Sequence, residues 1–148
     1  MKGDSALHSS ESDEWLTPLD LFERLDEKWR FDLDPCANNE NPLPSLRELV
    51  HIVKDWGIDA FEYEWCGRRV FCNPPYSQIE DWVAKAHSHR HDAVTVMLIP
   101  SRTDTKYWHK YIQNDALKVE FLPGRLKFRR PDGGKSTSAP FPSCLVYF

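Results

Sequence analysis

The stretch AVTVMLIP, residues 93–100, decides how this chain folds. It is almost continuously apolar and rich in β-branched residues, where a half-exposed strand would alternate apolar with polar. Such a run suits a strand buried on both faces, as in a parallel sheet covered by helices on either side. Just upstream, Gln78 to His89 sets Ile79, Trp82, Val83 and Ala86 on one helical face. Before that helix, Arg69-Val70-Phe71-Cys72 reads as a second strand. It is stopped by Pro74 and Pro75, which lack the N–H that a central strand must donate.

Working further outward, FDLDP (31–35) reads as a third short strand ending in acids and a proline. A helix over Leu19 to Trp29 precedes it, with Pro18 at its first turn and Thr17 as its cap. Leu21, Phe22, Leu25 and Trp29 follow helical spacing. Asn38 to Pro44 is loop chemistry, and Leu46, Leu49, Val50 and Val53 suggest a helical turn or two. Downstream, Asp104 to Gln113 predicts a helix. Lys118–Phe121 and Arg125–Phe128 predict a hairpin around Leu122-Pro123-Gly124, and Ser143–Phe148 a final strand. The alternation of strand and helix, closed by late strands, predicts an α/β fold: a three-layer sandwich with a C-terminal β-hairpin. Ligands in such folds lie beyond the carboxyl ends of the strands. FDLDP and FCNPPY (71–76) are both strand ends, so they share one rim.

The bulk properties bound the answer. With 148 residues, 41% hydrophobic and 28% charged, the chain is sized for one folded domain, expected over residues 14–148. Residues 1–13 are polar and read as a flexible lead-in without the apolar centre of a signal peptide. No apolar run nears the ~20 residues needed to span a bilayer. A cytoplasmic place is expected. The four cysteines have no metal-like spacing and read as free thiols in a reducing compartment, and His87, His89 and His91 read as a solvated helix end, so no metal is expected. Charge is unevenly spread: Ser101 to Lys135 carries nine Lys/Arg and four Asp/Glu, a net of +5, against −9 for the rest. A basic segment on an acidic body suits a polyanion-facing surface. Arg102, Lys106, Arg125, Lys127, Arg129 and Arg130 are the candidates for holding the phosphates of such a polyanion.

The prolines of Asn73-Pro74-Pro75-Tyr76 remove backbone donors and hold the segment extended, leaving it rich in acceptors. That pattern fits a substrate whose amino group is conjugated to a ring, such as adenine N6. Two acceptors, the Asn73 side-chain oxygen and the Pro74 carbonyl, favour the pyramidal transition state in which the nitrogen lone pair is freed. Tyr76 offers a face for a base flipped out of its duplex.

These residues carry a resemblance. Asn73-Pro74-Pro75-Tyr76 is similar to the catalytic motif of amino-methyltransferases that use S-adenosylmethionine. Thr17-Pro18, Phe31-Asp32-Leu33-Asp34-Pro35-Cys36-Ala37, Pro100-Ser101-Arg102-Thr103-Asp104-Thr105 and Gly124-Arg125-Leu126-Lys127-Phe128, in that order around the motif, resemble the small phage-type DNA N6-adenine methyltransferases. The resemblance implies a Rossmann-like class I methyltransferase fold, with S-adenosylmethionine as cofactor and DNA as partner. It implies catalytic roles for Asn73, Pro74, Pro75 and Tyr76, and cofactor contacts for Thr17, Pro18, Asp32, Asp34 and Asp59. The segment Ala37 to Asn41 departs from the wider methyltransferase pattern in having no glycine, with asparagine as the residue most tolerant of the needed turn. Cytosine N4, a protein glutamine N5, or a non-catalytic nucleic-acid module with a degenerate cofactor site remain alternatives from the residues alone. Recognition sequence and oligomeric state stay open.

Overall fold

The computed structural model describes residues 15–38, 42–44, 49–53, 59–130 and 132–148. The expected lead-in over residues 1–13, part of the asparagine-rich loop and Leu46 lie outside the described residues. Helix α1 spans Leu19–Trp29 and buries Leu21, Phe22 and Leu25, as their spacing predicts. It ends at Arg30, whose left-handed backbone (φ 56°) returns its N–H to the Asp26 carbonyl, while the Asp26 carboxylate takes the Phe31 N–H. Thr17 does not cap this helix, contrary to expectation. Pro18 holds the capping position, and its carbonyl takes the Phe22 N–H at 3.1 Å.

The remaining elements are β1 (Leu33–Ala37), β2 (Val50–Val53), β3 (Arg69–Cys72), α2 (Ile79–Ser88), β4 (Val94–Pro100), β5 (Lys118–Phe121), β6 (Lys127–Phe128), β7 (Thr137–Ser138) and β8 (Ser143–Tyr147). A short 3-10 turn, Tyr76–Gln78, precedes α2, and one wide helical turn, Trp108–Ile112, follows β4. Two sequence expectations are corrected here. Val50–Val53 is a strand and not a helical turn, because β-branched residues pair readily along β1. The expected hairpin of Lys118–Phe121 with Arg125–Phe128 does not form. Gly124, at φ +69°, turns the chain away; β5 pairs with β8, and β6 pairs with β7 in a separate two-stranded ribbon.

The fold is mixed α/β with a mostly parallel central sheet of order β2-β1-β3-β4-β8-β5. The first four strands are parallel, β8 lies antiparallel on β4, and β5 antiparallel on β8. AVTVMLIP lies near the centre, buried from Thr95 to Pro100. Val70, Cys72, Met97 and Ile99 pack toward α2 and Trp108. Phe71, Val96, Leu98 and Leu145 pack with α1 and the β6–β7 ribbon. Among the described residues no helix is long and apolar enough to cross a membrane.

The chain runs from β1 outward to β2, returns past β1 to β3, and continues the other way to β4. The order therefore reverses between β1 and β3, the place where open α/β sheets leave a crevice. β1 and β3 are matched at Leu33 and Val70, whereas β3 and β4 stay matched from Arg69–Val94 to Cys72–Met97. Pro35, without an N–H, sits where β1 and β3 part.

Phe22 anchors α1 to the sheet, with its ring 5.3 Å from Phe71 and 5.9 Å from Phe31. Phe22→Ala should lower unfolding free energy by about 3–5 kcal/mol, read from the urea midpoint with an unchanged slope.

Candidate active site

Beyond the point where β1 and β3 part lies a cavity of about 370 Å³, within the range of small-molecule sites. β1 supplies one wall through Asp34, Cys36 and Ala37, and the segment Trp15-Leu16-Thr17 supplies another. Asn73, Pro75 and Gln78 come from the turn after β3. Phe61 and Trp82 form an aromatic wall, their rings stacked at 4.1 Å and 30°. Asp59 and Arg129 complete the charged groups of the lining.

Asn73 follows the last residue of β3, and the two prolines carry the chain out of the sheet into the Tyr76–Gln78 turn. The Pro75 carbonyl takes the Gln78 N–H at 3.0 Å, which starts the run into α2. The Asn73 amide is held from one side: its Nδ2 donates to the Trp15 carbonyl and, at 3.0 Å, to the Thr17 hydroxyl. Its Oδ1 is buried and has no hydrogen-bond partner among the described residues. A buried acceptor without a donor is costly unless a ligand completes it.

Tyr76 lies beside the cavity instead of in its wall. Its ring lies nearly parallel to Trp15 (6.0 Å, 18°) and edge-on to Phe141 (5.1 Å). Burial raises its phenol well above the ordinary range, and the nearby Arg102 charge offsets part of that rise. Pro74 is buried next to it.

The predicted acids separate. Asp34 is 4% exposed and lines the cavity. Burial pushes its carboxyl up to about 7, against the lowering effect of the hydrogen bond from Cys36 N–H (3.2 Å). Asp59 is exposed, also lines the cavity, and accepts the Phe61 N–H at 2.9 Å. Asp32 is not brought to the cavity. It precedes β1, at the opposite end of the strand, and its carboxylate takes the Arg69 N–H at 2.9 Å. Pro18 also stays outside the lining.

The basic residues separate too. Arg102, Lys106, Arg125, Lys127 and Arg130 are exposed, and Arg130 pairs with Asp132 at 2.9 Å. Arg129 turns inward instead. Its Nε donates to the Thr17 carbonyl at 2.8 Å, its N–H to the Leu16 carbonyl at 3.0 Å, and its side chain lines the cavity. Sequence reasoning grouped it with its neighbours because charge alone does not say which way a side chain turns. Trp15, Phe61 and Gln78 were missed as site residues; the clue available was only that Trp15 adjoins Thr17-Pro18 and that Phe61 opens an aromatic-rich stretch. Cys36 and Cys72 bring their sulfurs to 3.8 Å as free thiols, and burial holds the Cys36 thiol well above the ordinary range. His87 and His89 pair with Asp115 (2.6 Å) and Asp92 (2.8 Å), and no group of metal-ligating side chains occurs among the described residues.

Comparison with known proteins places nearly the whole chain in a family. The family model described as DNA N-6-adenine-methyltransferase (Dam) matches residues 4–148. A DNA N-6-adenine-methyltransferase of Haemophilus phage HP1 is 28% identical over 144 residues, covering 94% of this chain and 80% of its own length. A protein of the same name from Escherichia phage T1 is 28% identical over 109 residues, covering 70% of this chain and 42% of its own length. The family match takes in the strand ends, the asparagine–proline turn and the crevice between them, and the chain belongs to the DNA N-6-adenine-methyltransferase (Dam) family, a family of adenine-specific DNA methyltransferases.

Proposed function

We propose that this protein methylates the exocyclic N6 of adenine in DNA with S-adenosylmethionine. The single observation that carries the reading is the held amide of Asn73 in the lining of the β1–β3 crevice: its Nδ2 is tied to the Trp15 carbonyl and the Thr17 hydroxyl, and its Oδ1 has no partner among the described residues. The sheet order, with its reversal between β1 and β3 and its antiparallel β8, supports a Rossmann-like class I fold in three layers, one domain over residues 14–148.

The donor set of the cavity fits the cofactor. Asp34 and Asp59 would hold its sulfonium and ammonium charges, Arg129 its carboxylate, and the Phe61–Trp82 wall its purine. Bound there, the cofactor supplies an electrophilic methyl, and the sulfur keeps the electron pair of the bond that breaks. Asn73 Oδ1 and the Pro74 carbonyl take one N6 hydrogen each, which frees the nitrogen lone pair for attack. The new N–C bond leaves a positive nitrogen that gives up one proton to solvent. Tyr76 presents its ring to the flipped base, so Trp15 must shift for the base to enter. Arg102, Lys106, Arg125, Lys127 and Arg130 hold phosphates outside, which makes DNA binding fall steeply with salt. A cytoplasmic place, alongside DNA, accords with this role.

Incubation with labelled S-adenosylmethionine and unmethylated DNA, followed by nucleoside analysis, should yield N6-methyladenine. N4-methylcytosine would select the cytosine alternative, and no incorporation would sink the proposal. Asn73→Ala should lose about 10²-fold or more in turnover with cofactor binding nearly intact, as for loss of one transition-state hydrogen bond.

Asp34 gives a second, opposed pair of outcomes. Its folded pKa of about 7 lies above the ordinary carboxylate value, so the folded state holds a proton that the unfolded chain has lost between roughly pH 4 and 7. The stability it contributes is complete below the unfolded pKa and is lost as pH rises through 7. Asp34→Asn should therefore raise the melting temperature more at pH 8 than at pH 5. The same variant should bind S-adenosylmethionine more weakly at pH 8, and titration calorimetry should show the wild-type affinity rising through pH 7 and the variant's staying flat.

A further inference from the structure

We propose that Thr17 is a positioning residue for Asn73, and that with the Trp15 carbonyl it forms a clamp that makes this position an amide and not a carboxylate. The inference rests on the role given to Asn73 above. A main-chain carbonyl only accepts hydrogen bonds, so the Asn73 atom facing Trp15 must be the NH2. The Thr17 hydroxyl oxygen accepts the other amide hydrogen at 3.0 Å. Both hydrogens are thus committed, the amide cannot flip, and Oδ1 is left without a partner among the described residues.

Thr17 is 4% exposed and plays no capping part in α1, so its hydroxyl has this task in place of the usual one. The clamp is braced from behind. Arg129, just after β6, bonds the Leu16 and Thr17 carbonyls, which holds the Trp15–Thr17 segment in place. A carboxylate at position 73 would set a negative oxygen against the Trp15 carbonyl dipole. It fits only when protonated, donating its O–H to Trp15 and keeping its other oxygen as the acceptor. This chain therefore needs asparagine at neutral pH.

Three substitutions test the clamp. Thr17→Val keeps the shape and removes the acceptor; single-turnover methylation at saturating cofactor and DNA should fall about tenfold, with both dissociation constants within about twofold of wild type. Thr17→Ser should recover most of the rate. Asn73→Asp should be impaired at pH 8, and its activity relative to wild type should climb as pH falls toward 6. A Thr17→Val protein with wild-type rate and weakened cofactor binding would overturn the proposal, since Thr17 would then be a cofactor contact. An Asn73→Asp protein with a wild-type pH profile would overturn the account of the amide.

A readout independent of methylation separates this proposal from the assigned reaction. In 15N spectra of the unliganded protein, the Asn73 side-chain NH2 pair, identified by its loss in Asn73→Ala, should exchange slowly with solvent. Thr17→Val should speed that exchange, and Thr17→Ser should not. Fast exchange in the wild type would refute the clamp. Slow exchange in a protein that methylates no DNA would uphold the clamp and refute the reaction.

Discussion

Everything at the functional end of this molecule depends on two neighbouring strands that stop pairing. β1 and β3 run side by side through Leu33 and Val70, then separate. Pro35 in β1 and Pro74-Pro75 after β3 have no N–H to give, so neither strand can extend the ladder between them. The sheet order reverses at the same place. The crevice is a consequence of missing donors as much as of topology.

That gap is lined by groups of opposed character. Asp34 is buried deeply enough for its carboxyl to be pushed up to about 7, which makes it costly to the folded state and suited to a cationic partner. The Asn73 oxygen is likewise buried, without a donor among the described residues. Asp34 and Asn73 both line this one cavity, where a cation and an N–H donor would relieve the two penalties. Arg129 belongs to the same economy: it braces the Trp15–Thr17 segment and adds a cation to the cavity wall.

Much of this was legible in the sequence, for reasons that differ by element. AVTVMLIP announced a doubly covered strand because hydrophobic periodicity reports burial directly. Helix α1 was legible from four apolar residues at helical spacing, and the rim from prolines that forbid strand continuation. The strand at Val50–Val53 was misread as helical because four residues are too few for periodicity to separate the two states. The hairpin was misread because two adjacent strands with a glycine turn look paired locally, while β8, far along the chain, offers β5 a better partner in the main sheet. Thr17 looked like a cap because local patterns favour it there; its partner is 56 residues away.

The sequence by itself determined which segments are strands and helices over most of the chain and that β3 stops before its prolines, whereas β1, expected over 31–35, runs Leu33–Ala37 past Pro35. What it determined depends on local backbone chemistry: proline's missing N–H and side-chain periodicity. Only the tertiary structure decided that Asp34 faces the cavity while Asp32 ties off the other end of the strand, that Arg129 turns inward while Arg130 stays in solvent, and that Thr17 holds Asn73. The reason is that direction and pairing at a site are set by contacts between residues far apart in the chain, and no local pattern encodes which distant backbone carbonyl an amide will meet.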